Sequence, residues 1–172
     1  LRFWLRTPRN GVNAGTVRKL LAKVYKKKVT EVKKHNQLHS LASIATYYAN
    51  GQEPPNDLKV GRFIAPMLAK AVPKEKWPKE YIVEYKYDGA RYQIHKGDSI
   101  LIFNRKGKVV SDKFPDVVEE VLSWEIKEPF IIDTEIYPVE SDGRPAPFKK
   151  MGTRIHSKNI VEAIEKCPVE LA

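Results

Sequence analysis

Cysteine is almost absent from this chain of 172 residues, and Cys167 stands alone. A single cysteine excludes an internal disulfide and leaves no partner for a cysteine-based zinc site. No apolar run approaches the roughly 20 residues that span a bilayer. No basic n-region followed by an apolar stretch marks a secretory signal, and no repeat or low-complexity tract is present. Histidine is also scarce, and His35, His39, His95 and His156 form no ligand constellation in the sequence. These absences point to a reducing, intracellular setting without a membrane partner. What is present is an apolar fraction of 42%, enough for one packed domain or parts of two. The chain opens at Leu1 rather than Met and closes on Pro168-Val169-Glu170-Leu171-Ala172, which reads as a strand cut short; a fragment is expected.

Charge is unevenly placed. Residues 1–60 hold 12 Lys/Arg against 3 Asp/Glu, whereas the remaining residues hold 19 against 18. A basic first third beside a nearly neutral remainder fits a nucleic-acid-facing module joined to a second unit. A solvated, lysine-rich helical surface is the alternative.

Within the basic part, Leu1 to Arg9 mixes apolar and basic residues before Asn10-Gly11 and Gly15 interrupt it. Thr16 is expected to cap a helix running to about Lys28, with Val17, Leu20, Leu21 and Val24 at helical spacing. A second helix begins near Thr30. From Gln37 to Ala49, the residues Leu38, Leu41, Ala42, Ala45 and Tyr48 form an apolar stripe expected to be core. Residues 51–62, with Gly51, Pro54-Pro55 and Gly61, read as a linker. The remainder alternates in the manner of strands: Tyr81–Tyr87, Arg91–His95, Ile100–Asn104 and Phe130–Val139, separated by Asp88-Gly89, Gly97-Asp98 and Lys106-Gly107 turns. Pro115 opens a short helix through about Leu122, and Ser157 is expected to cap another over Ile160–Lys166.

The chemistry concentrates in Glu84-Tyr85-Lys86-Tyr87-Asp88-Gly89-Ala90-Arg91. One lysine stands at the end of an apolar run, before a turn, with a carboxylate two residues on and an arginine five residues on. Lysine is mostly ammonium at neutral pH, its reference pKa being roughly 10.4. It becomes a nucleophile where neighbouring cations or desolvation favour the free amine. On this reading Asp88 orients Lys86, Gly89 leaves space for a ligand, and Tyr85 and Tyr87 face the core. The alternative is a β-turn preceded by a solvated lysine.

Lys86-Tyr87-Asp88-Gly89 with Arg91 resembles the nucleotidyl-transfer motif of ATP-dependent DNA ligases and of their relatives, the RNA ligases and capping enzymes. Further resemblances follow in order. Pro66-Met67-Leu68-Ala69 is similar to the segment entering the adenylation domain, and Phe103-Asn104-Arg105 to the ligase Phe-Ser-Arg segment. Phe114-Pro115-Asp116 resembles Tyr-Pro-Asp, and Phe130-Ile131-Ile132-Asp133-Thr134-Glu135 the third motif. Pro147-Phe148 with Arg154 resembles Pro-Phe-x-x-Leu-x-x-Arg, with Met151 in place of the leucine, and implies packing or DNA contact. His95 follows Tyr92-Gln93-Ile94 much as in a ligase strand and is expected to be structural.

The resemblance implies an α+β chain: the C-terminal part of an all-α DNA-binding domain over 1–56, then the first half of an antiparallel-sheet adenylation domain over 57–172. Lys86 would carry AMP, and Glu84, Arg91, Arg105 and Glu135 would hold the nucleotide. The implied cofactors are ATP and Mg²⁺, with ADP and NAD⁺ as alternative donors. The implied partner is nicked duplex DNA bound by a monomer, with room for a sliding clamp. An RNA ligase, a capping guanylyltransferase and a non-catalytic DNA-binding protein are the competing readings.

Overall fold

The computed structural model describes residues 12–172 and divides the chain into two compact units, the first running to Ile64 and the second spanning Ala65–Ala172. The mixed apolar and basic stretch Leu1–Arg9 and the Asn10-Gly11 break lie outside the described residues.

The first unit carries three helices: α1 (Ala14–Val24), α2 (Val29–Leu38) and α3 (Leu41–Ala49). Asn13, not Thr16, caps α1, because its side chain accepts the Thr16 N–H at 3.0 Å. The helix stops at Val24 rather than near Lys28. Lys26 takes a left-handed φ of 52°, and the Lys27 N–H donates back to the Ala22 carbonyl, closing a Schellman turn. The expected single stripe over 37–49 is broken at Ser40, whose hydroxyl accepts the Ser43 N–H and starts α3 afresh. That resets the buried face. Ile44 and Tyr48 enter the core with Ala22 and Val32, while Ala42 is exposed. His35 is buried and its Nδ1 lies 2.8 Å from the Tyr48 hydroxyl.

The second unit is an antiparallel sheet covered on one face by helices. Its strands are β1 (Ala90–Lys96), β2 (Ile100–Asn104), β3 (Phe130–Pro138) and β4 (Val169–Leu171), in the order β2-β1-β3-β4. Alternation divides the sheet into two faces. Tyr92 and Ile94 of β1, Ile102 of β2 and Ile136 of β3 face a core shared with Val117 and Val121 of α4 (Pro115–Ser123). Met151, at the start of α5 (Met151–His156), and Cys167, which closes α6 (Ile160–Lys166), complete that core. The opposite face bears Arg91, Gln93 and His95 across from Glu135, Asp133 and Ile131. Pro115 occupies the first turn of α4, and Asn159 rather than Ser157 caps α6. Ser157 instead closes a small turn with the backbone of Asn159.

The structure also corrects the expected strand before β1 and decides between the two roles expected of Arg154. Residues 81–87 form no strand, since no described residue pairs with their backbone, and Ile82, Val83 and Tyr85 are exposed. Tyr85 is therefore not core. Arg154 makes no outward DNA contact: it is fully buried, ion-paired with Asp116, and donates to the carbonyls of Lys113 and Cys167 over the face of Phe114. Of its two expected roles, packing is the one it fills.

Candidate active site

Lys86 stands on exposed chain just before β1, and the three residues after it are fastened to the sheet unit. Tyr87 stacks on Tyr137 of β3 with ring centroids 4.4 Å apart. Asp88 accepts the Phe148 backbone N–H at 2.9 Å. Gly89 is pressed so closely on β3 that a Cβ there would lie 2.3 Å from the Ile136 carbonyl oxygen. The glycine thus makes room for a neighbouring strand as well as lining the cleft beside Lys86, and the partner of Asp88 is Phe148 rather than the lysine. These contacts set the lysine at the edge of the polar sheet face, next to Glu135.

Glu135 reports that proximity electrostatically. Burial raises its carboxyl above the ordinary carboxylate range, while the charges of Lys86 and Arg91 act in the opposite direction. Arg91 lies directly across from Glu135 in the β1–β3 register, yet its guanidinium reaches diagonally to Asp133. There Nε and Nη2 donate to the two carboxylate oxygens at 2.8 and 2.6 Å. Its Nη1 donates to the Met67 carbonyl at 2.8 Å. Arg105 rides on the turn after β2, where Asn104 Oδ1 accepts the N–H groups of Lys106 and Lys108, and Gly107 takes a φ of 78°.

The sequence-predicted residues converge. An open cleft of about 680 Å³ is lined by Lys86, Arg91, Arg105 and Glu135, with Leu68, Ala69, Asn104, Lys106 and Phe148 completing its walls. A second hollow shares Lys86 and Glu135 and adds Glu84. Sequence reasoning missed Asp133, Asn104 and Phe148. Asp133 was accessible in principle, since it precedes Glu135 by two on a strand and must share its face. The reach of Phe148 to Asp88 has no local signal.

Chemically, the cleft offers a lysine amine, two arginines and Lys106 around a single unpaired carboxylate, a donor set suited to a polyphosphate. Among the described residues no three His, Cys, Asp or Glu side chains form a metal site. A metal held by the described side chains alone therefore does not fit. One arriving with phosphates needs only one or two protein carboxylates, and Glu135 meets that requirement.

A family model described as "ATP dependent DNA ligase domain" matches residues 66–172, the span that contains this entire cleft. The chain belongs to that family. Similar ligase-family proteins include the DNA ligase of Thermococcus onnurineus, 34% identical over 95% of this chain and 31% of its own length. The DNA ligase of Natronomonas pharaonis is 35% identical over 99% of this chain and 32% of its length. That of Saccharolobus solfataricus is 39% identical over 66% of this chain and 20% of its length. The chain thus spans about a third of the length of the first two of these curated relatives and less of the third.

Proposed function

We propose that this chain carries the end of the DNA-binding domain and the first half of the adenylation domain of an ATP-dependent DNA ligase, with Lys86 as the nucleophile. The observation that supports it best is the meeting of Lys86, Glu135, Arg91 and Arg105 in one cleft inside the family-matched span. In the first step the Lys86 amine, having lost its proton, attacks the α-phosphorus of ATP. The new N–P bond forms as the bond to the β-phosphate oxygen breaks, and pyrophosphate leaves. Arg105, with the Arg91 N–H groups left over from Asp133 and Met67, neutralises phosphate charge, and Glu84 and Glu135 hold the nucleoside end. Mg²⁺ bound with the phosphates, with Glu135 as its protein ligand, would add further charge neutralisation.

In the later steps a 5′-phosphate at a nick takes the AMP from Lys86, and the adjacent 3′-hydroxyl displaces AMP to close the strand. The helical unit, read as the end of a DNA-binding domain over 1–56, supplies phosphate contacts through its lysines. No helix among the described residues is long and apolar enough to cross a membrane.

The test is intact mass after incubation with Mg²⁺ and, separately, ATP, GTP and NAD⁺, on this chain and on Lys86→Ala. The expected result is a gain of one AMP with ATP, absent from the variant. A GMP adduct would favour capping chemistry instead, and an adduct retained by Lys86→Ala would remove Lys86 from the reaction.

A further inference from the structure

The Arg91 side chain faces two carboxylates and chooses the farther one in register. Glu135 is its directly opposed partner, but the guanidinium fork closes on Asp133, two residues along β3. Two donors engaged by one carboxylate fix the plane of a guanidinium, as a single hydrogen bond does not. The fixed plane then aims Nη1 at the Met67 carbonyl. Leu68 and Ala69, the next residues, form one wall of the cleft that holds Lys86 and Glu135. Arg91 and Asp133 are each about one-third exposed, so the pair is placed by its own geometry rather than by enclosure.

From this geometry we infer that Asp133 is a positioning residue: it holds Arg91 away from Glu135 and, through Arg91, straps the Met67–Ala69 segment in place as a wall of the nucleotide cleft. The consequence for the site is twofold. Glu135 stays unpaired and open to ligand, although a cation sits opposite it. The segment 67–69, which belongs to no helix or strand, acquires a defined position through a side-chain bond. An asparagine at 133 keeps one acceptor but turns an N–H₂ toward the guanidinium donors, so the fork opens. Arg91 is then free to swing onto Glu135. A glutamate keeps the bidentate acceptor on a stem one methylene longer.

This inference rests on the nucleotidyl-transfer reading for its kinetic readout but not for its structural one. The experiment compares the wild-type chain with Asp133→Asn and Asp133→Glu in two assays. In the first, adduct formation is followed against ATP concentration. Asp133→Asn is expected to raise the half-saturating ATP about tenfold while leaving the rate at saturation within about threefold, and Asp133→Glu to recover most of the difference. In the second, no nucleotide is present and tryptic cleavage after the exposed Lys70 is timed; Asp133→Asn is expected to accelerate it several-fold, with Asp133→Glu again close to wild type. Unchanged half-saturation or unchanged cleavage in Asp133→Asn would overturn the strap. If the wild type forms no adduct, the same assay on a chain extended to the length of its relatives decides the nucleotidyl-transfer reading, which fails if that chain forms none either. The cleavage assay then decides the strap alone, faster cutting supporting it and equal cutting refuting it.

Discussion

His95 and Arg154 show what burial demands of a polar side chain in the sheet unit. His95 is fully buried beside the Phe103 ring, 4.8 Å between centroids, and burial lowers its pKa from the ordinary 6.5. The sign of the linkage follows directly. The folded protein keeps this imidazole neutral where the unfolded chain would protonate it, so its contribution is complete above about pH 6.5 and is lost as the pH falls below that value. Urea unfolding should therefore show a flat free energy between about pH 7 and 8 and a decline from about pH 6.5 toward 5.5. His95→Gln should remove that part of the decline. An identical pH profile in the variant would show that His95 does not contribute. Arg154 solves the same problem with charge, by pairing with Asp116 and two backbone carbonyls; breaking such a buried pair from one side typically costs about 3–5 kcal/mol. Its sequence context left packing and DNA contact open, because a motif names a residue type without saying which way the side chain turns.

At the scale of elements, the decisive contact is between the start of β1 and β3. Gly89 lets the two backbones meet where any side chain would collide with Ile136 and Tyr137. Gly89→Ala should destabilise the sheet by about 1–3 kcal/mol, the usual cost of overpacking, and slow adduct formation by displacing Lys86. Wild-type unfolding and adduct rates in that variant would contradict the placement. Strand periodicity made β1, β2 and β3 legible to within a residue or two, and the Pro at the first turn did the same for α4. What failed depended on partners. Residues 81–87 alternate as a strand should, but a strand also needs a neighbour's hydrogen bonds, and none of the described residues supplies them. The α1 boundary failed for a different reason: Lys26 adopts a left-handed conformation that glycine or asparagine ordinarily signals. At the cleft, Lys86, Arg91, Arg105 and Glu135 were named by the family resemblance and the fold brings them together, whereas the bonds of Asp133 and Phe148 to Arg91 and Asp88 are visible only in the fold.

For the whole molecule, charge is divided between the units: the helical unit is basic and the unit that bears the cleft is nearly neutral. If the first binds phosphates without reading bases, affinity for nicked duplex should fall steeply with salt. The expected log–log slope is about −3 or steeper, set by counterion release. A slope near zero would remove the DNA-binding role from this surface. The central claim, however, concerns one bond. The most direct measurement is peptide mapping of the chain after incubation with Mg²⁺ and ATP, repeated on a version extended to the length of its ligase relatives. The account predicts a single AMP, labile in acid, on the peptide containing Lys86. AMP on a different lysine, or none on Lys86 in the extended chain, would contradict it.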